Sequence, residues 1–264
     1  KYDAARAKDH PKTVLEVLGK ISEKAKSERA YGQLLKAQVL SAEYTVDVSN
    51  DSLDTEIDRI RQYEQATVAS GDKVLAAIYQ SVLGEVFADN EMAVEDAARL
   101  SKEYYAKSMT CPDELAKAYC TGYDPFVKDG DDSKYFYDDM LHVIGMRAED
   151  YRGMHDYYAS HGKREAACLT ALQIVCDNRK DGDEGRVKKS KFIMSLDSLV
   201  HEYSDLVVCG EVAIERYSYM ESAEDVTEDD KMNYINYALM KWGAWPRMNI
   251  LRNAQRRLTL PSFH

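Results

Sequence analysis

The stretch Val74-Leu75-Ala76-Ala77-Ile78-Tyr79-Gln80-Ser81-Val82-Leu83-Gly84-Glu85-Val86-Phe87 decides the fold class. Its large apolar residues come in pairs, each pair four residues after the last: Val74 and Leu75, Ile78 and Tyr79, Val82 and Leu83, Val86 and Phe87. That spacing builds one broad apolar stripe along a helix, with Gln80, Ser81 and Glu85 on the opposite face. A strand would instead alternate apolar and polar residues. The same spacing extends through Leu196, Leu199, Val200, Tyr203, Leu206, Val207, Gly210, Ala213, Ile214 and Tyr217, over about six turns. Shorter versions run through Val14, Leu18, Ile21 and Ala25, and through Tyr151, Met154, His155 and Tyr158. No stretch before Leu258 shows sustained period-two alternation.

Composition agrees with that reading. The 264 residues are 45% hydrophobic, enough to build a core. Gly (13) and Pro (5) are scarce beside an ordinary usage of roughly 12% for the pair. The shortage argues against a β-sandwich, a glycine-rich α/β fold or a low-complexity linker. Tyr is heavily used, 19 against 5 Phe and 2 Trp, so much of the buried aromatic surface carries a hydroxyl that needs a partner. No apolar run is long enough to span a membrane. Turn residues punctuate the helical stretches at Asp51-Ser52, Gly71-Asp72 and Gly162, and Gly243 followed by Pro246 closes one helix and opens another. Thr110 to Asp113 and Thr227 to Asp230 resemble capping boxes with Asp in the place of Glu. About a dozen helices are expected, with longer loops over 121–132 and 180–185.

Successive amphipathic helices joined by short turns form antiparallel hairpins, and hairpins in series stack into a solenoid. Leu83-Gly84 with Phe87 matches the first helix of a tetratricopeptide unit, although the later Ala positions do not follow. Apolar-Gly pairs recur at Leu18-Gly19, Leu83-Gly84, Ile144-Gly145 and Cys209-Gly210, and a small residue lets two helices approach closely. The expected architecture is an all-α, tetratricopeptide-like array of antiparallel helical hairpins, one continuous domain over 1–257. Residues 258–264 read as the start of a following β-domain or linker.

Charge is unevenly spread. The net charge is −11, and no Asp or Glu follows Asp230. Lys231, Lys241, Arg247, Arg252, Arg256 and Arg257 make that last segment +6 and leave −17 on residues 1–230. Such an acidic body is a poor general binder of nucleic acid or of an anionic membrane. Trp242 and Trp245, the only tryptophans, fall in the basic segment. Two readings of this end stand side by side. A terminal helix can dock on the acidic body, or Trp242, Trp245, Arg247, Arg252, Arg256 and Arg257 can form a junction with a neighbouring domain.

Motifs for chemistry are few. There is no dinucleotide-binding or phosphate-binding glycine loop and no G-x-S-x-G elbow. His201-Glu202-Tyr203-Ser204-Asp205 resembles the H-E-x-x-H zinc helix with Asp at the fifth place. Asp177, Arg179, Asp181 and Gly182 outline a calcium loop that lacks oxygen ligands at Arg179 and Lys188. Asp129, Asp131 and Asp132 read as a solvated acidic turn. His155 lies on an apolar face and reads as a hydrogen-bonded core histidine. Cys111, Cys120, Cys168, Cys176 and Cys209 contain no C-x-x-C pair and read as small buried apolar residues. No metal or cofactor is expected.

Four phrases, HPKTVLEVL from His10, DSKYFYDDMLHVIG from Asp132, DYYASHGKREAACLTAL from Asp156 and NILRNAQRRLTLP from Asn249, together give the chain a family likeness. It resembles the N-terminal helical region of large bacterial alpha-2-macroglobulin-like proteins, over nearly its whole length. The resemblance implies an exported protein of the cell envelope, anchored to a membrane only through an upstream segment, whose parent inhibits proteases. It implies a trimmed fragment whose partners are the macroglobulin-type β-domains that follow in the same chain. The family's thioester motif, C-x-E-Q, begins at none of the five cysteines, so no functional residue carries over. The function expected is a non-catalytic scaffold or protein-interaction module. A free-standing tetratricopeptide-like adaptor holding a peptide, and a helical-barrel hydrolase with paired carboxylates, remain as alternatives.

Overall fold

The computed structural model of the chain describes residues 11–128, 130, 132–180, 186–223 and 225–259. These residues are helical almost throughout, with no β-strand among them and one isolated antiparallel bridge, Tyr119 to Asp139. They form two compact units, 1–150 and 151–264.

The first unit contains α1 (Pro11–Glu28), α2 (Tyr31–Val48), α3 (Leu53–Ser70), α4 (Lys73–Asp89), α5 (Ala97–Ser108), the single turn α6 (Pro112–Leu115) and α7 (Met140–Arg147). Helices pack on their neighbours in sequence, α1 on α2, α3 on α4 and α4 on α5, as a series of hairpins. Val14 and Leu18 of α1 bury against Ala37 of α2, with Leu40 and Tyr44 at the edge. Gly71, in the left-handed region, ends α3, and the Asp72 carboxylate accepts from the Leu75 N–H to cap α4.

α4 is the centre of this unit, touched by α3, α5, α6 and α7. Its stripe is wider than the spacing predicts: Ser81, placed on the polar face, is fully buried, and Gln80 and Glu85 are half-buried. A helix covered from several sides has no face left for water. Gly84 sits where a β-carbon would lie 2.7 Å from the Tyr105 ring of α5. Beside it the Ser101 hydroxyl of α5 donates to the Gly84 carbonyl at 2.8 Å. This is the close helix approach expected of an apolar-Gly pair, but Gly19 is exposed with nothing near its α-carbon, so the recurrence has no common structural role.

The second unit contains α8 (Tyr151–Ser160), α9 (Arg164–Lys180), α10 (Arg186–Tyr203), α11 (Cys209–Ser222), α12 (Glu228–Trp242) and α13 (Asn249–Thr259), again packed in sequence order. Here α11 is central, touching α9, α10, α12 and α13 and burying residues from Cys209 to Met220. The apolar spacing from Leu196 to Tyr217 is two helices, not one. The chain turns over 204–208, Val208 is buried and Val207 faces water. Arg164 holds the Asp205 carboxylate with both guanidinium nitrogens (2.5 and 2.9 Å) and takes the Glu202 carbonyl at 3.0 Å, which fixes that turn. Thr227 and Asp230 form the predicted capping box of α12. The box predicted at Thr110 does not form: that hydroxyl bonds back to the Lys107 carbonyl, and Cys111 stands at the start of α6. Where the start of a following β-domain or linker is expected, α13 continues through Leu258 and Thr259; residues 260–264 lie outside the described residues.

Leu83, with no exposed surface, anchors the α4 stripe. Leu83→Ala is expected to lower unfolding free energy by about 2–5 kcal/mol in a denaturant titration. Val68→Ala, at an exposed position of α3, should change it by less than about 0.5 kcal/mol.

Candidate functional site

The basic end of the second unit draws together most of the residues singled out from sequence. α12 ends at Trp242, and Gly243, Ala244 and Trp245 lead into a tight turn opened by Pro246 (Pro246–Met248) and then α13. Both tryptophans point inward, only 2% and 5% exposed. The Trp242 indole N–H donates to the Ser204 carbonyl (3.1 Å) and the Trp245 indole N–H to Glu211 Oε2 (2.7 Å). The other Glu211 oxygen takes Arg247. Gly210, next to Glu211, leaves room for Trp245, since a β-carbon there would be 2.6 Å from Trp245 Cβ.

The six residues grouped by sequence therefore divide. Trp242, Trp245 and Arg247 are used inside the second unit. Arg252, Arg256 and Arg257 lie on the exposed side of α13, opposite buried Leu251 and Ala254. Arg252 donates to the Gly243 carbonyl (2.7 Å) and Arg257 pairs with Glu221 of α11 (2.9 Å). Arg256 has no ion pair or side-chain hydrogen bond among the described residues. The residue that sorts them, Glu211, was missed from sequence, since it lies 34 positions before Trp245 and looks like any surface Glu of a helical stretch.

The other candidates fare differently. His201 and Glu202 border a shallow, open groove with Asp197 and Ser198, and Asp205 is held away by Arg164. That pairing pulls the Asp205 carboxyl below its usual range. No group of His, Cys, Asp and Glu that could hold a metal occurs among the described residues. Asp181 and Gly182 of the calcium-like loop, and Asp129 and Asp131 of the acidic turn, lie outside the described residues. His155 bonds the Ala167 carbonyl through Nδ1 (3.0 Å), as a core histidine does. Cys111, Cys120, Cys168 and Cys209 are buried, and burial pushes the Cys209 thiol up to about 12 and Cys168 up as well, so both stay neutral.

One buried polar group escaped the sequence reading entirely. His142, in the first turn of α7, stacks flat on Phe136 with centroids 3.9 Å apart and 3° between planes. Its Nδ1 and the Ser133 hydroxyl are buried with no hydrogen-bond partner among the described residues. Just before α7, Tyr137 and Asp138 both take positive φ (60° and 53°), and Asp139 caps the helix through the His142 N–H at 2.9 Å. Burial depresses the His142 pKa, against the opposing pull of Asp132 and Asp139. As a lone His on an amphipathic helix it had no distinguishing pattern.

No family model matches the chain, and neither a curated protein nor a solved structure matches it.

Two expectations follow. Glu211→Ala strands a buried indole N–H and releases Arg247, at a cost of about 1–3 kcal/mol, while Glu211→Gln, which keeps an acceptor, costs less. The two tryptophans are the only ones in the chain, so their emission reports this end directly: Glu211→Ala should shift it to the red. For His142 the unfolded chain binds a proton near pH 6.5 and the folded chain only at lower pH. Its contribution is therefore fully present above pH 6.5 and is lost as pH falls through the window below it. Melting temperature should fall on acidification over that window, and His142→Phe should flatten the dependence.

Proposed function

We propose that the chain is a non-catalytic helical scaffold and protein-interaction module, placed at the N-terminal end of an alpha-2-macroglobulin-like protein of the cell envelope whose parent inhibits proteases. The observation that carries the interaction reading is the outer side of α13, where Arg252, Arg256 and Arg257 stand exposed in a segment without a single carboxylate. Of the other cations of that segment, Arg247 is taken by Glu211 and Lys231 reaches the Glu221 carbonyl at 3.4 Å. A cationic face on an acidic chain is suited to one acidic neighbour, and the resemblance carried by the four sequence phrases implies a following macroglobulin-type domain in that place. The chemistry of the described residues is in keeping with a scaffold: burial keeps the Cys168 and Cys209 thiols neutral, and Asp205 and Glu211 are committed to arginines.

A tetratricopeptide-like adaptor is the second reading. The α4–α5 hairpin favours it, with Gly84 facing Tyr105 and bonded by Ser101 at the helix crossing. The sequence beyond His264 separates the two: β-domains belong to the first reading and a stop codon to the second.

The triple variant Arg252→Glu, Arg256→Glu, Arg257→Glu should leave the 264-residue chain folded, because the two interactions lost, the Arg257–Glu221 pair and the Arg252 bond to the Gly243 carbonyl, are both exposed. In the longer parent chain it should expose the stretch after α13 to limited proteolysis. Unchanged cleavage of the parent would sink the junction reading.

A further inference from the structure

The outer side of the α12–α13 hairpin carries more than charge. Tyr237 is 44% exposed and Met240 78%, and they lie three residues apart on the outer face of α12, away from buried Ile235 and Ala238, with the Tyr237 ring set edge-on against Trp242 at 5.6 Å between centroids and its other side open. The register of the hairpin sets what stands beside them. Asn236 of α12 accepts from the Gln255 amide of α13 at 2.6 Å, and Arg252 reaches the Gly243 carbonyl just past the end of α12. Met240, one turn beyond Asn236 along α12, falls between those two fixed points, on the stretch of α12 that runs along the Arg252 end of the hairpin. Arg256 follows Arg252 one turn along α13. Two large apolar side chains and two guanidinium groups thus share one surface.

That mixture is what a solvent-facing helix pair normally avoids and what a binding face uses. Tyr and Arg dominate the energetics of protein interfaces, and Met adapts its shape to an apolar partner. Arg256 has no carboxylate partner among the described residues. Arg252 spends one nitrogen on a carbonyl and keeps the rest of its donor fork.

Resting on the reading of this end as an interaction face, we propose that Tyr237, Met240, Arg252 and Arg256 bind a short acidic segment of protein that carries a bulky apolar residue. Its carboxylates meet the two arginines, and its apolar side chain sits on Met240 and Tyr237. Charge decides against a broad anionic surface such as a lipid bilayer. Residues 1–230 carry −17 and are repelled by an extended negative plane, whereas a short peptide touches only the cationic face.

Fluorescence anisotropy with the 264-residue chain tests this, using a labelled Glu-rich peptide with one central Phe. The peptide should bind, and Met240→Ser and Arg256→Glu should each weaken it by about tenfold or more. Replacing the Phe by Gly should weaken binding similarly, and replacing the Glu residues by Lys should abolish it. Both substituted positions are exposed, so tryptophan emission should be unchanged and confirm folding. No binding of the parent peptide, equal affinity of both variants, or equal affinity of the Gly peptide overturns the proposal. Capture of the chain by phosphatidylserine vesicles, lost in Arg256→Glu, overturns it in favour of a membrane. Failure of the junction reading is seen separately, in proteolysis of the parent chain, and leaves this assay untouched.

Discussion

An aromatic ring laid against a helical glycine is the contact around which each unit is built. In the first unit the Tyr105 ring lies over Gly84 of α4, and in the second Trp245 lies over Gly210 of α11. These two helices are the ones covered by several others, and each buries residues around most of its circumference. A helix surrounded in this way cannot keep its neighbours at ordinary side-chain distance on every side and still fill the space between them at native density. The glycine removes a side chain at one crossing, and a large ring takes up the volume. The two contacts are not copies of each other. Gly84 stands in the last turns of α4 and receives a ring from the next helix, whereas Gly210 opens α11 and receives a ring from the turn that follows α12.

Burying a helix on all sides raises a second problem, the polar groups that go in with it. The structure solves it by pairing side chains with backbone carbonyls or with one central acid. Ser101 bonds Gly84, Trp242 bonds Ser204, and Glu211 serves both Trp245 and Arg247. The Tyr-rich composition has the same consequence. Tyr79 finds Gln38 at 2.5 Å and Tyr234 reaches the Ala213 carbonyl at 3.4 Å, so hydroxyls on buried rings become ties between helices. Ser81, Ser133 and His142 are exceptions, with the two hydroxyls and the His142 Nδ1 buried and unpartnered among the described residues. Each removes stability that the surrounding apolar contacts must offset.

What was legible in the sequence was local. Apolar spacing marked α4, Gly71 marked the end of α3, and Thr227 with Asp230 marked the start of α12, because each depends on residues within one or two turns. What was not legible came from distant partners. Ser81 reads as polar until α4 is seen covered on both flanks. Leu196 to Tyr217 reads as one long helix until Arg164, 41 positions before Asp205, is seen to hold the turn that breaks it. The candidate site shows the same division. Charge and aromatic content located the basic end, but its partition into buried and exposed halves depends on Glu211, in a helix that neither composition nor spacing sets apart.

That partition changes what the charge asymmetry means. Coulomb attraction between an acidic body and a basic end could have been satisfied by spreading the cations over surface carboxylates, with little specificity and strong screening by salt. Instead one carboxylate, nearly buried, takes Arg247 together with an indole N–H, and the exposed Arg257 pairs sideways with Glu221. Neutralisation thus occurs at the inner edge of the hairpin, where it also orders Trp245. Arg252 and Arg256 are left on the outer edge in a segment with no acid to meet them, alongside the most exposed methionine of α12. The same +6 segment therefore does two separate things. Its inner half contributes to folding through the buried tryptophans and the Glu211 carboxylate that Arg247 meets, and its outer half leaves Arg252 and Arg256 with no carboxylate partner among the described residues.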